Sequence, residues 1–109
     1  MSAALLSANS LDDSPVVLLV GHRCTVEFAS GINTVAAATY IQIFDAAAVA
    51  DVSLGTTVPT LVLAIAASSA ATDTYGIEGV VFTNGVAVAS TTTTTGSTGA
   101  ASHARIGVR

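Results

Sequence analysis

The chain has 109 residues, of which 9% are charged and none is lysine, and its formal net charge is -4. A chain of this length holds one domain and leaves no room for a second. Three basic residues without a lysine exclude a surface that displaces counterions from phosphates, a P-loop and Schiff-base chemistry.

Hydrophobic residues make up 51% of the chain, and the mean hydropathy is +0.73. An exterior built from Ala, Val, Thr and Ser, with so little charge, favours self-association. The expectation is that neighbouring subunits cover part of it; the alternative is a weakly charged monomer whose hydropathy is raised by alanine. Cys24 is the single cysteine, so no intrachain disulfide forms, and it reads as a small buried hydrophobe.

The opening "MSAALLSANS" lacks the basic and long apolar regions of a signal peptide and reads as an extended N-terminal arm, residues 1–14, ahead of a domain at residues 15–109. "SLDDS" has turn chemistry, since Asp and Ser side chains bond nearby amides. "PVVLLVGHRCTVEFAS", from Pro15, reads as a strand with Cys24, Val26 and Phe28 on one face, and Gly21 as a bulge within it.

Ala37 to Phe44 is expected as a strand with Ile41 and Ile43 opposite Tyr40, Gln42 and Phe44. "DAAAVADVSLGTTVPT" is a connection, in which Ala46 to Ala50 has the composition for one helical turn. "TLVLAIAA" alternates Leu61, Leu63 and Ile65 against Val62 and Ala64, a strand apolar on both faces. "SSAATDTYGIEG" reads as a polar connection. In "VVFTNGVAVAS", Asn84-Gly85 predicts a tight hairpin turn between two short strands, or else a bulge in one long strand.

The threonines Thr91 to Thr95 continue that strand to its rim, and "GSTGAAS" forms a flexible loop. "SHARIGVR" supplies a last strand with Ile106 and Val108 on one face. Short strands separated by turn signals predict an all-β single domain, a β-sandwich or jelly-roll-like fold with an extended N-terminal arm.

No reaction is announced. Ser97 and Ser102 flank His103 without an acid nearby in sequence to orient it. His22 and Cys24 share a strand face, but with His103 they make only three of the four ligands a structural metal site needs, so no metal or other cofactor is expected. The acids Glu27, Asp45, Asp51, Asp73 and Glu78 show no pairing of the kind glycoside hydrolysis uses. The aromatics Phe28, Tyr40, Phe44, Tyr75 and Phe82 are too few for a stacking platform and read as core. No apolar run reaches the ~18 residues a membrane helix needs.

Taken in order, Tyr40 to Asp45, "GTTVP" at Gly55 to Pro59, Leu61 to Ile65, "GVVFTNG" at Gly79 to Gly85 and the Thr/Gly/Ser-rich Thr91 to Thr98 resemble a group of small structural proteins of tailed bacteriophages. The likeness spans roughly residues 35 to 105. It implies a non-enzymatic virion component, foremost a capsid decoration or cement protein that binds the major capsid protein and stabilises the head. Such a protein sits on the capsid surface, and in the host cytoplasm during assembly, with no nucleic acid or membrane as partner. A head-to-tail or tail component is the first alternative, and a small carbohydrate-binding sandwich using Tyr40 and Tyr75 the second. A cyclic homo-oligomer, with a trimer favoured, would bury hydroxyl-bearing strands. The expected assembly contacts are Leu5, Leu6 and Leu11, on an arm that orders only against a neighbour, and Thr91, Thr92 and Thr93, on a loop facing either a symmetry mate or solvent.

Overall fold

The computed structural model describes residues 3–109. Its strands are β1 (Ala4–Leu11), β2 (Val16–Val20), β3 (Cys24–Ile32), β4 (Thr39–Phe44), β5 (Leu61–Ile65), β6 (Ala70–Thr74), β7 (Val80–Phe82), β8 (Gly85–Thr91) and β9 (Ser102–Val108). Four antiparallel pairs are nested one inside the next: β4 with β5, β3 with β6, β2 with β8 and β1 with β9. This is one long hairpin, and it rolls up so that β9 also pairs with β3 and β8 also pairs with β4. The outcome is two antiparallel sheets, β1-β9-β3-β6 and β2-β8-β4-β5, the strand order of a jelly roll. The expected all-β sandwich is therefore the fold.

The short β7 pairs with β3 at Cys24 to Val26, whereas β6 pairs with it at Phe28 to Ile32. The two are halves of one edge strand interrupted at Tyr75 to Gly79. Arg109 pins that interruption: its Nη2 donates to the carbonyls of Ile77 (3.0 Å) and Glu78 (3.1 Å), while Nη1 pairs with Glu27 at 2.9 Å.

Between the sheets lie Val26, Ile41, Ile43, Leu63, Ile65, Phe82, Val86, Val88, Ile106 and Val108, all buried. Each such side chain contributes about 1.5–3 kcal/mol by leaving water. Gly31 faces this core, where the Cδ1 atoms of Ile65 and Ile41 would lie 2.6 and 2.7 Å from an added Cβ. The absent side chain is what lets both isoleucines pack there. Ser102 Oγ donates to Ser90 Oγ at 2.6 Å, so two buried hydroxyls satisfy each other.

Several elements differ from the sequence reading. The segment expected as an N-terminal arm is β1, paired along its length with β9. The stretch from Pro15 is two strands in different sheets, because Gly21 adopts φ 63 and turns the chain rather than bulging it. Within β3 the register slips between Val26 and Phe28, so the buried positions run Cys24, Val26, then Ala29 and Gly31. Phe28 thus leaves the core and lies over Gly107, where its ring fills the space a Cβ would need.

The polar connection after β5 contains β6. Asn84-Gly85 makes neither a hairpin nor a bulge: β7 and β8 belong to different sheets, and the turn carries the chain between them. Asp45 holds that turn, accepting from the amides of Thr83 (3.0 Å) and Asn84 (2.7 Å). The helical turn in the β4–β5 connection is a short 3-10 turn at Val49–Asp51, later than Ala46 to Ala50 by a few residues. The "SLDDS" turn forms as expected, with Ser14 N donating to Asp12 Oδ1 at 2.8 Å.

Candidate binding surfaces

The outer faces of the two sheets are treated differently by the chain. On the β2-β8-β4-β5 sheet, every residue of β8 is buried. Val86 and Val88 join the central core, while Ala87 and Ala89 face outward beneath the β4–β5 connection. There they meet Phe44, Ala46 and Val52, with Val17 and Leu54 at the border, in a second small core. Alanines on this side of β8 leave room for the connection to lie close.

The Thr-rich loop covers the part of this face around Gln42, while Tyr40 and Val62 are half-buried and Ala64 is exposed. Gln42, fully buried, donates from Nε2 to Thr91 Oγ1 (2.7 Å) and to the carbonyl of Gly96 (3.0 Å), and Thr91 Oγ1 donates to the carbonyl of Thr93 (2.7 Å). A backbone bond from Thr92 N to Thr98 O (2.9 Å) closes the loop. Thr91, expected as an assembly contact, is therefore an internal fastening with 0% exposure. Thr92 and Thr93 are exposed.

The outer face of the β1-β9-β3-β6 sheet has no such cover among the described residues. It presents Leu5, Ser7 and Asn9 from β1, His103 and Arg105 from β9, Phe28, Ser30 and Ile32 from β3, and Thr72 and Thr74 from β6. Leu5 is 57% and Ile32 52% exposed. A groove of about 310 Å³ crosses this face, with Arg105, His103 and Asn9 along one side and Ile32, Ala70 and Thr72 along the other.

One margin of the sandwich is also open. β1 and β2 are the edge strands of their respective sheets and lie against each other. Neither "ALLSANSL" nor "VVLLV" contains a charged residue, and Val16 and Val20 are exposed. Edge strands of free-standing domains are commonly blunted by charges, lysine above all, whereas here each carries only an irregularity in its register, at Ala8/Leu11 and Val17/Leu19.

The expected contact residues scatter over this map. Leu5 is on the bare face, Leu6 is half-buried against the core, and Leu11 is inside it at 2% exposure. Leu11 and Leu6 are thus part of the fold, a consequence of β1 pairing with β9. Leu5 on one sheet and Thr92 and Thr93 over the other are not brought together.

Cys24 is buried, and burial first, with the charge of Asp45 second, pushes its thiol above the ordinary range. His103 is opposite Ile32 while Cys24 starts β3, a separation of eight residues along the strand or roughly 26 Å. His22 precedes β3 in an exposed turn. Of the aromatics expected in the core, Phe44 and Phe82 are buried, and Phe28, Tyr40 and Tyr75 are half-buried. The Tyr75 hydroxyl is enclosed without a hydrogen-bond partner among the described residues, and burial, followed by the charge of Asp73, raises its pKa.

Sequence reasoning passed over Arg105, Ser30, Ile32 and Thr72, and weighed His103 only as a catalytic or metal-binding group. The signal was the two-residue spacing of His103 and Arg105 in a strand whose alternate residues are apolar, which places both on the solvent side. No protein-family model, curated protein or solved structure matches the chain.

Proposed function

We propose that this chain is a non-enzymatic structural protein of a tailed-bacteriophage virion, foremost a capsid decoration or cement protein that binds the major capsid protein shell and stabilises the head. The observation that carries this reading is the open margin made by β1 and β2, two adjoining edge strands without a charged residue between them. Unpaired backbone N–H and C=O groups along such a margin offer a template on which another chain adds a strand. The exposed Leu5, Val16 and Val20 supply apolar surface beside it. A standard-size contact buries about 800 Å² per partner.

The sequence likeness to phage structural proteins points the same way, and a jelly roll is one of the folds that capsid domains use, an analogy at the level of fold alone. A cyclic trimer joined through heterologous contacts would cover the margin of each copy with a different surface of the next. Quantitative mass spectrometry of purified particles tests the proposal. Hundreds of copies per particle support shell decoration, six or twelve copies place the chain on the tail axis instead, and absence from particles overturns the reading.

A further inference from the structure

We infer that the groove on the bare sheet face is a binding site for an acidic residue of an extended partner segment, with an aliphatic residue two positions along. Among the described residues two ionisable side chains line the groove, His103 and Arg105, and no carboxylate does. This makes a basic spot on a molecule whose formal net charge is -4.

Arg105 is prepared for such a ligand. Its Nη1 donates to Asn9 Oδ1 (3.1 Å) and to the carbonyl of Ala104 (3.3 Å), and these are its hydrogen bonds among the described residues. Both acceptors are neutral, so they orient the guanidinium without neutralising it. The Nε and Nη2 donors are left for the parallel two-point contact that a carboxylate makes with arginine. Arg109, by contrast, is already paired with Glu27.

The second element of the ligand follows from the register. Arg105 is opposite Ser30 and His103 is opposite Ile32, so Arg105 and Ile32 are diagonal neighbours about 7–8 Å apart. Side chains two residues apart on an extended segment are separated by about 6.6–6.8 Å. An acidic side chain on Arg105 therefore brings the residue two positions away onto Ile32, which is 52% exposed. A phosphate-rich polymer is disfavoured because it requires several cations, and a sugar because no aromatic side chain lines the groove. A volume of about 310 Å³ suits a contact of two side chains.

That the occupant is a protein rests on the assembly reading above; the chemistry of the groove does not. The test is an NMR titration of the labelled full chain with a blocked peptide, Thr-Glu-Thr-Val-Thr, alongside its Glu-to-Gln counterpart and sodium glucuronate. The expected result is a shift of the amides of Ser30, Ile32, Thr72 and Arg105 with a dissociation constant of about 1 mM, the range of a small contact. Binding should fall at least ~10-fold for the Gln peptide and for Arg105→Gln, about 1.4 kcal/mol. Ile32→Ser should weaken the valine peptide while leaving a peptide with threonine in that place unaffected. Equal binding of the Glu and Gln peptides, undiminished binding by Arg105→Gln, or silence at ~10 mM overturns the inference. Shifts with glucuronate and none with the peptide overturn its assignment to a protein. Loss of the chain from particles would break the assembly reading while leaving the peptide result standing.

Discussion

The two sheets bury their inner faces in the same way and differ entirely on the outside. Over β8 and β4 the chain folds its own loops down, using Phe44, Ala87 and Ala89 as an apolar seat and Gln42 as a polar anchor. Over β1, β9 and β3 it leaves Leu5, Ile32 and Arg105 exposed and His103 half-buried. β8 and the Gln42–Phe44 end of β4 are covered on both sides, whereas β9 and β3 are packed on their inner side and present the other to solvent. The difference teaches that low charge alone does not mark an interface in this chain. The covered face is as poor in charge as the bare one, and it spends that property on internal packing.

The sharpest way to break this contrast is to truncate one large side chain on each face. Phe44→Ala should cost about 3–5 kcal/mol in chemical denaturation, since a fully buried ring is replaced by a cavity. Ile32→Ala, on the bare face, should change stability by no more than about 0.5 kcal/mol. Comparable losses for the two would mean that the bare face is packed in the free protein.

A smaller effect sharpens the account of the covered face. Gln42→Ala removes both bonds that fasten the Thr-rich loop and leaves Thr91 Oγ1 without its donor. A loss of about 1–3 kcal/mol is expected, and hydrogen exchange should show the amide of Thr92 unprotected while β4 and β8 keep their protection. Unchanged protection at Thr92 would show that the loop holds itself.

The smallest effect lies at the margin formed by β6 and β7. Burial raises the pKa of both Tyr75 and Cys24, so the folded chain holds these two protons after the unfolded chain has released them. Stability is therefore fully present below the ordinary values of about 8.5 for a thiol and 10 for a phenol, and falls as pH rises beyond them. Tyr75→Phe should lessen the alkaline loss. At neutral pH it should leave stability unchanged or slightly raised, because the buried hydroxyl has no partner to lose among the described residues. A marked loss at pH 7 would reveal a bond that the hydroxyl makes.

How much of this was legible in the sequence depends on the range of each interaction. β5 and β9 were readable because alternate apolar residues, Leu61, Leu63 and Ile65 or Ile106 and Val108, need only local inspection. The buried Cys24 and the Asp12 turn were local too. β1 was not readable, since "ALLSANSL" carries little alternation and becomes a strand through its pairing with β9 at the other end of the chain. β6 was mistaken for a connection because an edge strand with exposed Thr72 and Thr74 has no reason to look apolar. The Asn84-Gly85 signal correctly marked a turn, but which sheet follows a turn is decided by tertiary packing. Arg105 and Ile32 had no local mark of partnership, because only the β3–β9 register sets them side by side.

Hydrogen exchange of the whole chain, free and then with the virion particle proposed as its partner, tests the central claim most directly. The predicted result is new protection in β1, β2 and the outward positions around Arg105 and Ile32, with residues 45–60 and 91–99 exchanging as they do in the free protein. Protection gained in those two loops, with β1 and β2 unchanged, would contradict the account and place the partner on the face the chain covers for itself.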